Sequence, residues 1–307
     1  MSRFLSSMLL FGEYTMLYGS DALAMPLSIY SGKLSFIKKE DSSKLKSNLL
    51  LKDYFQFLKK NESKFDYINF AGFEQDLKDG LYFKSSIPQK YGLGSSGALV
   101  ASVFSRYHFL GGDVEKHPNR LRILFSNLES WFHGKSSGIG PLVSFLGSPM
   151  LIRENMVTKA LFPVPALEDD FWLFLVDTGQ EASTGFQIRS FQQLLRNKMF
   201  YYLFLEKYLP YVNSAIMFFL EKNHINFDSI LADIVDFQVK NFRALFPSST
   251  RDLAREGLKE NAYYLKLCGS GGGGYLLGFT QDMKNTKKLL RKKNVNLVEV
   301  PDAFQDR

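Results

Sequence analysis

The amino-acid sequence predicts an α+β fold of two domains, and three observations support that prediction. The chain has 307 residues, which is more than the roughly 250 at which a single hydrophobic core usually divides. Strand-like and helix-like segments follow one another without the regular alternation that builds a parallel sheet. The stretch from Pro163 to Asp170 is rich in proline and acidic residues, which is typical of a domain boundary. We therefore expect an N-terminal domain at residues 1–165 and a C-terminal domain at residues 166–307.

The elements of this fold follow from the spacing of the apolar residues. Short apolar runs bounded by turn residues predict strands at 8–11, 34–37, 81–85, 171–176, 262–267 and 275–280. Apolar residues at helical spacing predict helices at 97–110, 121–132, 183–220, 228–246 and 250–258. The small residues at 135–141 predict a tight loop. The strongly apolar stretch at 199–220 contains Pro210 and charged residues, so we expect a helix pair or a broken core helix and not a membrane span.

The first eleven residues resemble a secretory signal, because Arg3 precedes an apolar run. The run is short, a small-residue cleavage site is missing, and Glu13 follows at once, so a buried first strand is the better interpretation. We expect no contact with a membrane.

Composition and charge exclude other classes of protein. Hydrophobic residues make up 45% of the chain and charged residues 22%, which excludes disordered and collagen-like chains. The single cysteine, Cys268, excludes an internal disulfide and a cysteine-based zinc site, and a reducing cytoplasm is the expected compartment. The net charge is +7, but the basic cluster at residues 284–293 is typical of a solvated helix, and no nucleic-acid-binding motif accompanies it. We expect no nucleic-acid partner.

The strongest functional motif is the glycine-rich turn at residues 88–98, which leads directly into a predicted helix. Its glycines allow backbone N–H groups to point towards one spot, where the helix also presents its positive end. Such a spot suits a phosphate group. The turn matches neither the Walker nor the Rossmann phosphate-binding pattern. The alternative is an ordinary turn in which Ser95 or Ser96 caps the helix.

Together with two other segments, this turn resembles the three ordered motifs of the GHMP small-molecule kinases. The first segment is Gly12-Glu13-Tyr14, followed by Gly19 and the run at 22–26, and the last is the glycine-rich run at 268–274. The match spans nearly the whole chain in the order of the family.

Within that superfamily the sequence is most similar to the mevalonate kinases. A glutamate, a His-Gly pair and a small loop of those kinases are matched by Glu129, His133-Gly134 and residues 136–140. Asp177-Thr178 and Ser183-Thr184 also resemble a segment of that family. The Gly-Glu-Tyr triplet stands where mevalonate kinases usually read Gly-Glu-His, and is closer to phosphomevalonate kinases.

The resemblance implies a fold, two ligands and a set of site residues. The fold would combine a left-handed βαβ N-terminal domain with a ferredoxin-like C-terminal domain. The ligands would be ATP and Mg²⁺, and the partner would be a small-molecule acceptor, with mevalonate the best guess, bound by a monomer or homodimer. ATP would be bound by Lys90, Gly92, Leu93, Gly94, Ser95, Ser96 and Gly97. Mg²⁺ would be held by Ser96 and Glu129, and the acceptor by Glu13, Tyr14, Ser183, Thr184, Gly271 and Gly272.

Some of these residues have simpler interpretations. Glu129 is alternatively a solvated carboxylate on a helix, and Ser183 and Thr184 are alternatively helix caps.

Two positions depart from the mevalonate kinases. In that family an aspartate acts on the acceptor hydroxyl at the position of Gly140, and a lysine supports it at the position of Ser7. His133 could act as the base instead, although a histidine at a helix end is more often structural. Loss of a general base costs roughly 10²- to 10⁴-fold in rate. The alternatives to a mevalonate kinase are a phosphomevalonate kinase, another GHMP-type small-molecule kinase, and a catalytically impaired nucleotide-binding relative.

Overall fold

The computed structural model describes residues 1–38, 41–161 and 171–300. This part of the chain forms two compact units, each built from several stretches of sequence. The first unit consists of Met1–Ser7, Pro26–Pro88 and Gly94–Ser148, and the second consists of Met8–Met25, Gln89–Leu93 and the described residues from Pro149 onwards. The boundary predicted between residues 165 and 166 lies outside the described residues and stays a prediction.

Helices make up most of the first unit. They are α1 (Ser42–Lys60), α2 (Phe70–Lys78), α3 (Ser95–Tyr107), α4 (Pro118–His133) and α5 (Ile139–Leu146). Local signals explain where two of them begin. The Asp41 carboxylate accepts hydrogen bonds from the backbone N–H groups of Ser43 and Lys44 at the start of α1, and Pro118 suits the first position of α4. Helix α3 is buried over most of its length and packs against α4 and α5, so it lies at the centre of this unit.

Five strands form one sheet. They are β1 (Phe4–Phe11), β2 (Ala22–Phe36), β3 (Leu81–Ser85), β4 (Met150–Arg153) and β5 (Met156–Lys159). In the first unit, the end of β2 pairs antiparallel with β3, with Gly32 opposite Ser85 and Phe36 opposite Leu81. In the second unit, the start of β2 pairs antiparallel with β4, which pairs antiparallel with β5. Most of β1 is buried, as predicted for the N-terminal apolar run.

The second unit contains a four-stranded antiparallel sheet. Its strands are β6 (Trp172–Asp177), β7 (Tyr264–Leu267), β8 (Tyr275–Thr280) and β9 (Leu297–Glu299). Their order across the sheet is β7-β8-β6-β9, so β8 lies between two strands that follow one another in sequence. Helices connect β6 to β7 and β8 to β9. This is the split β-α-β arrangement of a ferredoxin-like domain, and the prediction for the C-terminal part is confirmed.

The described residues of this unit form six α-helices. They are α6 (Thr184–Leu195), α7 (Lys198–Leu203), α8 (Leu209–Leu220), α9 (His224–Asn241), α10 (Ser248–Lys259) and α11 (Met283–Lys292). A π-helical segment, Phe204–Tyr208, joins α7 to α8 without a gap. The stretch predicted as a helix pair or a broken core helix is therefore one helix with a π-helical segment in its middle. None of the described helices is long and apolar enough to span a membrane. In α11 the side chains of Lys284, Lys288 and Arg291 are exposed, as predicted for a solvated basic helix.

The structure corrects two local predictions. The strand predicted at 34–37 is the end of the fifteen-residue strand β2. The loop predicted at 135–141 ends early, because Gly138 adopts a left-handed conformation (φ 73°) and α5 begins at Ile139. Two serine hydroxyls support the turn that leads into this helix: Ser136 Oγ accepts a hydrogen bond from the Gly138 N–H, and Ser137 Oγ accepts one from the Ile139 N–H. Helices α1 and α2 and the short strands β4, β5 and β9 have no counterpart among the predicted elements.

Candidate active site

The glycine-rich turn ends at Gly94, which precedes the first residue of α3. Gly94 has a left-handed backbone (φ 65°), and a Cβ atom at this position would lie 2.1 Å from Ser7 Oγ. Only glycine tolerates both the conformation and the close approach to β1. Helix α3 then begins at Ser95 without a side-chain cap, so its first-turn backbone N–H groups and its positive end are directed towards the turn. This arrangement suits an anion, as the sequence predicted.

Ser96 and Glu129, the two predicted metal ligands, lie side by side in the first unit. Ser96 Oγ donates a hydrogen bond of 2.8 Å to Glu129 Oε1. Ser136 Oγ donates a second hydrogen bond to Glu129 Oε2. The glutamate is only 6% exposed, so the alternative interpretation as a solvated helix carboxylate is wrong. The packing of α3 against α4 brings the two residues together, and the 136–138 turn orients the carboxylate from the other side.

This pair of oxygen donors fits Mg²⁺. Magnesium in proteins is usually bound by one or two carboxylates together with phosphate oxygens and water. Within the described ranges no group of three or more histidine, cysteine, aspartate or glutamate side chains is placed to hold a metal ion. A serine hydroxyl and one carboxylate supply oxygen ligands of the kind that Mg²⁺ takes, and the nearby start of α3 is suited to the phosphate that such an ion would also bind.

Position 140 lies next to the predicted metal ligands. A Cβ atom on Gly140 would lie 3.4 Å from Ser7 Oγ and 3.9 Å from Glu129 Oε1. The backbone of Gly140 is not left-handed, and these are distances at which a side chain fits with little adjustment. The two departures from the mevalonate kinases, Ser7 and Gly140, are therefore neighbours. Packing does not require a glycine at position 140, in contrast to Gly97, where a Cβ atom would lie 2.8 Å from the backbone of residue 140.

His133 is the last residue of α4. Its side chain lies outside the described part of the structure, so its role as an alternative base stays a prediction.

The first half of the glycine-rich turn, Gln89–Leu93, belongs to the second unit. There it packs against the glycine run at 269–274. A Cβ atom on Gly92 would lie 2.9 Å from the Cys268 carbonyl oxygen, and one on Gly274 would lie 2.6 Å from the backbone of Tyr91. Both glycines also have positive φ angles (77° and 69°). The close approach of these two backbones explains why glycine is needed in both segments.

Two other residues predicted to bind ATP differ in their exposure. Lys90 is exposed and pairs with Glu181, with 2.6 Å between Nζ and Oε2. The Leu93 side chain is buried, so only its backbone is available to a ligand.

Glu13 and Tyr14, predicted to bind the acceptor, are both buried in the second unit. Glu13 forms an ion pair with Lys266, and each side chain is 1% exposed. Burial is the main cause that raises the pKa of Glu13, and the charge of Lys266 offsets it in part. The Tyr14 ring stacks on Phe191 with centroids 4.1 Å apart, and its Oη donates a 2.5 Å hydrogen bond to the Ser270 carbonyl. The pKa of Tyr14 is raised, chiefly by burial.

The remaining acceptor residues lie at two places in the second unit. Gly271 and Gly272 face inwards: Cβ atoms there would lie 2.7 Å from the Leu245 carbonyl oxygen and 1.9 Å from Gln187 Nε2. Ser183 and Thr184 are exposed at the start of α6. Ser183 occupies the N-cap position, but its side chain makes no capping hydrogen bond.

Sequence analysis missed two residues of these clusters. Lys266 belongs to the strand predicted at 262–267, and the signal was a single charge inside an apolar run directly before a glycine run. Ser136 lies in the predicted small loop, and only the fold shows that its hydroxyl reaches Glu129.

Comparison with known proteins agrees with this geometry. Residues 50–148 match the GHMP kinases N terminal domain. The mevalonate kinase of L. major, solved with R-mevalonate, is 16% identical and has a TM-score of 0.65 over 99% of this chain and 93% of that one. The mevalonate kinase of Methanococcus jannaschii is 16% identical and has a TM-score of 0.65 over 97% and 96%. No curated protein sequence matches the chain at a significant level.

A phosphomevalonate kinase is similar to the same degree. The enzyme of Streptococcus pneumoniae, solved with phosphomevalonate and AMPPNP, is 13% identical and has a TM-score of 0.63 over 97% of this chain and 99% of that one. At such identities, the likeness establishes the fold, and the family match establishes the N-terminal domain. The resemblance predicted from the sequence is thus confirmed: the chain has the two-domain GHMP kinase fold, and residues 50–148 carry the N-terminal domain of the GHMP kinases.

Proposed function

We propose that this protein is a small-molecule kinase that transfers a phosphoryl group from ATP to a hydroxyl group of a small metabolite, with Mg²⁺ as cofactor. The observation that carries the proposal is the 2.8 Å hydrogen bond from Ser96 to Glu129 beside the uncapped start of α3. A hydroxyl, a carboxylate and a helix N-terminus meeting in one place form a site for a metal-bound phosphate.

Each part of this cluster has a task in phosphoryl transfer. The turn at Gly94 and the first N–H groups of α3 bind and orient phosphate oxygens. Ser96 and Glu129 would hold Mg²⁺, which when bound neutralises charge on the phosphates. Ser136 keeps the Glu129 carboxylate in one orientation by its hydrogen bond to Oε2. Positioning and charge compensation are the main contributions that a protein makes to this reaction.

The residues around position 140 predict slow turnover. Neither Ser7 nor Gly140 supplies a group that removes a proton from the acceptor hydroxyl at neutral pH. A loose, metaphosphate-like transition state needs little deprotonation early in the reaction, so loss of the base reduces the rate, by roughly 10²- to 10⁴-fold, without abolishing the chemistry. The same observation favours a second candidate function, a nucleotide-binding protein with negligible catalysis.

Mevalonate is the acceptor that we propose first, and phosphomevalonate is the alternative. The support for mevalonate is the resemblance of Glu129, His133-Gly134 and residues 136–139 to the mevalonate kinases, and the similarity to solved mevalonate kinases. The Gly-Glu-Tyr triplet at residues 12–14 and the similarity to a phosphomevalonate kinase support the alternative.

The experiment that tests the proposal measures ADP release with ATP, Mg²⁺ and a panel of mevalonate, phosphomevalonate, galactose and homoserine. We expect acceptor-dependent ADP release, and a loss of at least about tenfold in Ser96→Ala because Mg²⁺ loses a ligand. Ser105→Ala, at the other end of α3, is the matched control and should retain the wild-type rate. Clear ATP binding by calorimetry without acceptor-dependent ADP release would instead support the nucleotide-binding protein. Equal rates in the two serine variants would exclude Ser96 as a metal ligand.

A further inference from the structure

Lys266 and Glu13 form a buried ion pair in the second unit. Lys266 lies on β7, and Glu13 follows β1 directly, 253 residues away in sequence. Each side chain is 1% exposed. Lys266 Nζ also donates a 2.8 Å hydrogen bond to the Leu267 carbonyl and lies 5.4 Å from the centre of the Phe11 ring. The pair is therefore buried between the end of β1 and strand β7.

The pair is a poor way to stabilise a fold. Desolvating two charges costs about as much as their attraction returns, and apolar residues of similar volume are often as good or better. Glu13 Oε2 has no hydrogen-bond partner among the described residues, so the carboxylate is not fully compensated. An arrangement with this cost is better explained by what it holds in place than by stability.

The pair holds the turn at 12–15 against the strand that enters the glycine run. The turn is tight: the Thr15 N–H donates a 2.8 Å hydrogen bond to the Glu13 carbonyl, and Tyr14 has a positive φ angle of 64°. A tyrosine rarely adopts this conformation, and the surrounding structure must impose it. The imposed conformation directs the Tyr14 hydroxyl to the Ser270 carbonyl, four residues after Lys266.

We infer that Lys266 is a positioning residue, which acts through Glu13 to hold Tyr14 and the glycine run at 269–274 in the geometry needed to bind the acceptor. This inference rests on the proposed kinase function. The Lys266 side chain is 1% exposed, so its effect on the reaction passes through the ion pair.

A double-mutant cycle tests the inference. The variants are Lys266→Met, Glu13→Leu and the double variant, all assayed at a temperature at which they are folded. If Lys266 acts through Glu13, each single substitution lowers kcat/KM for the acceptor at least about tenfold, and the double variant is no worse than Glu13→Leu alone. The Kd for ATP should change less than kcat/KM for the acceptor, because only Gln89–Leu93 packs against the glycine run, whereas Gly94 at the start of α3 contacts Ser7 of β1.

A matched control separates the loss of the buried ion pair's positioning role from the mere removal of two opposite charges. The exposed pair Lys240 and Asp236 lies on α9, and Lys240→Met with Asp236→Asn should leave kcat/KM unchanged. Wild-type kcat/KM in folded Lys266→Met, or effects of the two single substitutions that multiply in the double variant, would overturn the inference.

Amide hydrogen exchange gives a readout that needs no turnover. We expect the amides of residues 12–15 and 269–274 to lose at least about tenfold protection in the double variant, in which no uncompensated charge remains, while β8 and β6 keep theirs. Unchanged protection would overturn the inference even if the enzyme is active. If the double variant loses protection but the wild-type protein releases no acceptor-dependent ADP, the ion pair does hold these segments in place. The proposed kinase function is then contradicted instead.

Discussion

Each of the two units contains a buried glutamate, Glu129 in the first and Glu13 in the second, and the two glutamates differ in the groups that contact them. Glu129, in the first unit, accepts hydrogen bonds from the hydroxyl groups of Ser96 and Ser136. Glu13, in the second unit, is paired with the ammonium group of Lys266. Both residues are nearly inaccessible to solvent: counted over backbone and side chain, Glu129 is 6% exposed and Glu13 is 3% exposed. Burial alone therefore does not distinguish a carboxylate that could bind a metal from one that holds segments together.

The chemistry of the donors makes the distinction. Serine hydroxyls orient a carboxylate without adding a charge to it, so a bound cation gains the full attraction of the carboxylate. An ammonium group compensates the carboxylate directly and commits it to holding two segments together. On this basis we propose that Glu129 binds the metal and that the pair of Glu13 and Lys266 has a positioning role.

The largest expected effect is on the stability of Lys266→Met. Removal of one partner of a buried pair costs about 3–5 kcal/mol of unfolding free energy. Burial already raises the pKa of Glu13, and loss of Lys266 removes the charge that offsets it. The folded variant then keeps the Glu13 proton to higher pH, whereas the unfolded chain releases it near about pH 4.3. The unfolding free energy of Lys266→Met should therefore fall as pH rises. Denaturant melts should show that the variant loses less unfolding free energy relative to wild type at pH 5 than at pH 8. An equal deficit at both pH values would contradict the pairing.

The next largest effect is on catalysis by Glu129→Gln. An amide has the same shape as the carboxylate but carries no charge, so we expect at least about a 100-fold loss of ADP release, with the fold retained. Increasing the Mg²⁺ concentration should restore part of the rate. Glu115→Gln, on an exposed segment of the same unit, is the control and should behave as wild type. If Glu129→Gln kept the wild-type Mg²⁺ dependence, Glu129 would not be a metal ligand, and the proposed difference in role between Glu129 and Glu13 would be wrong.

The smallest effect that we predict is a gain. Gly140→Asp places a carboxylate beside Ser7 and Glu129, where a Cβ atom fits, and should raise the rate at least about tenfold if a missing base limits turnover. Gly111→Asp, at a position open to solvent, is the control. A rate unchanged or lowered in Gly140→Asp alone would show that another group removes the acceptor proton.

Local chemistry explains which parts of the site could be predicted from the sequence. A glycine turn before an apolar helix identifies a helix N-terminus without any knowledge of the fold, and the structure places the start of α3 there. The two departures at Ser7 and Gly140 were also visible by comparison with a family pattern. Their adjacency was not, because β1 and α5 are far apart in sequence and only packing brings them together.

The sequence by itself determined the helix and strand content of most segments and the glycine-rich turn before α3, since these depend on residue type and short-range spacing. Ser96 and Glu129 became candidate ligands only through the resemblance to the GHMP kinases. Only the tertiary structure decided how the two buried glutamates differ. Whether a carboxylate meets a serine or a lysine depends on contacts between segments up to 253 residues apart, and such contacts arise from the packing of the whole chain.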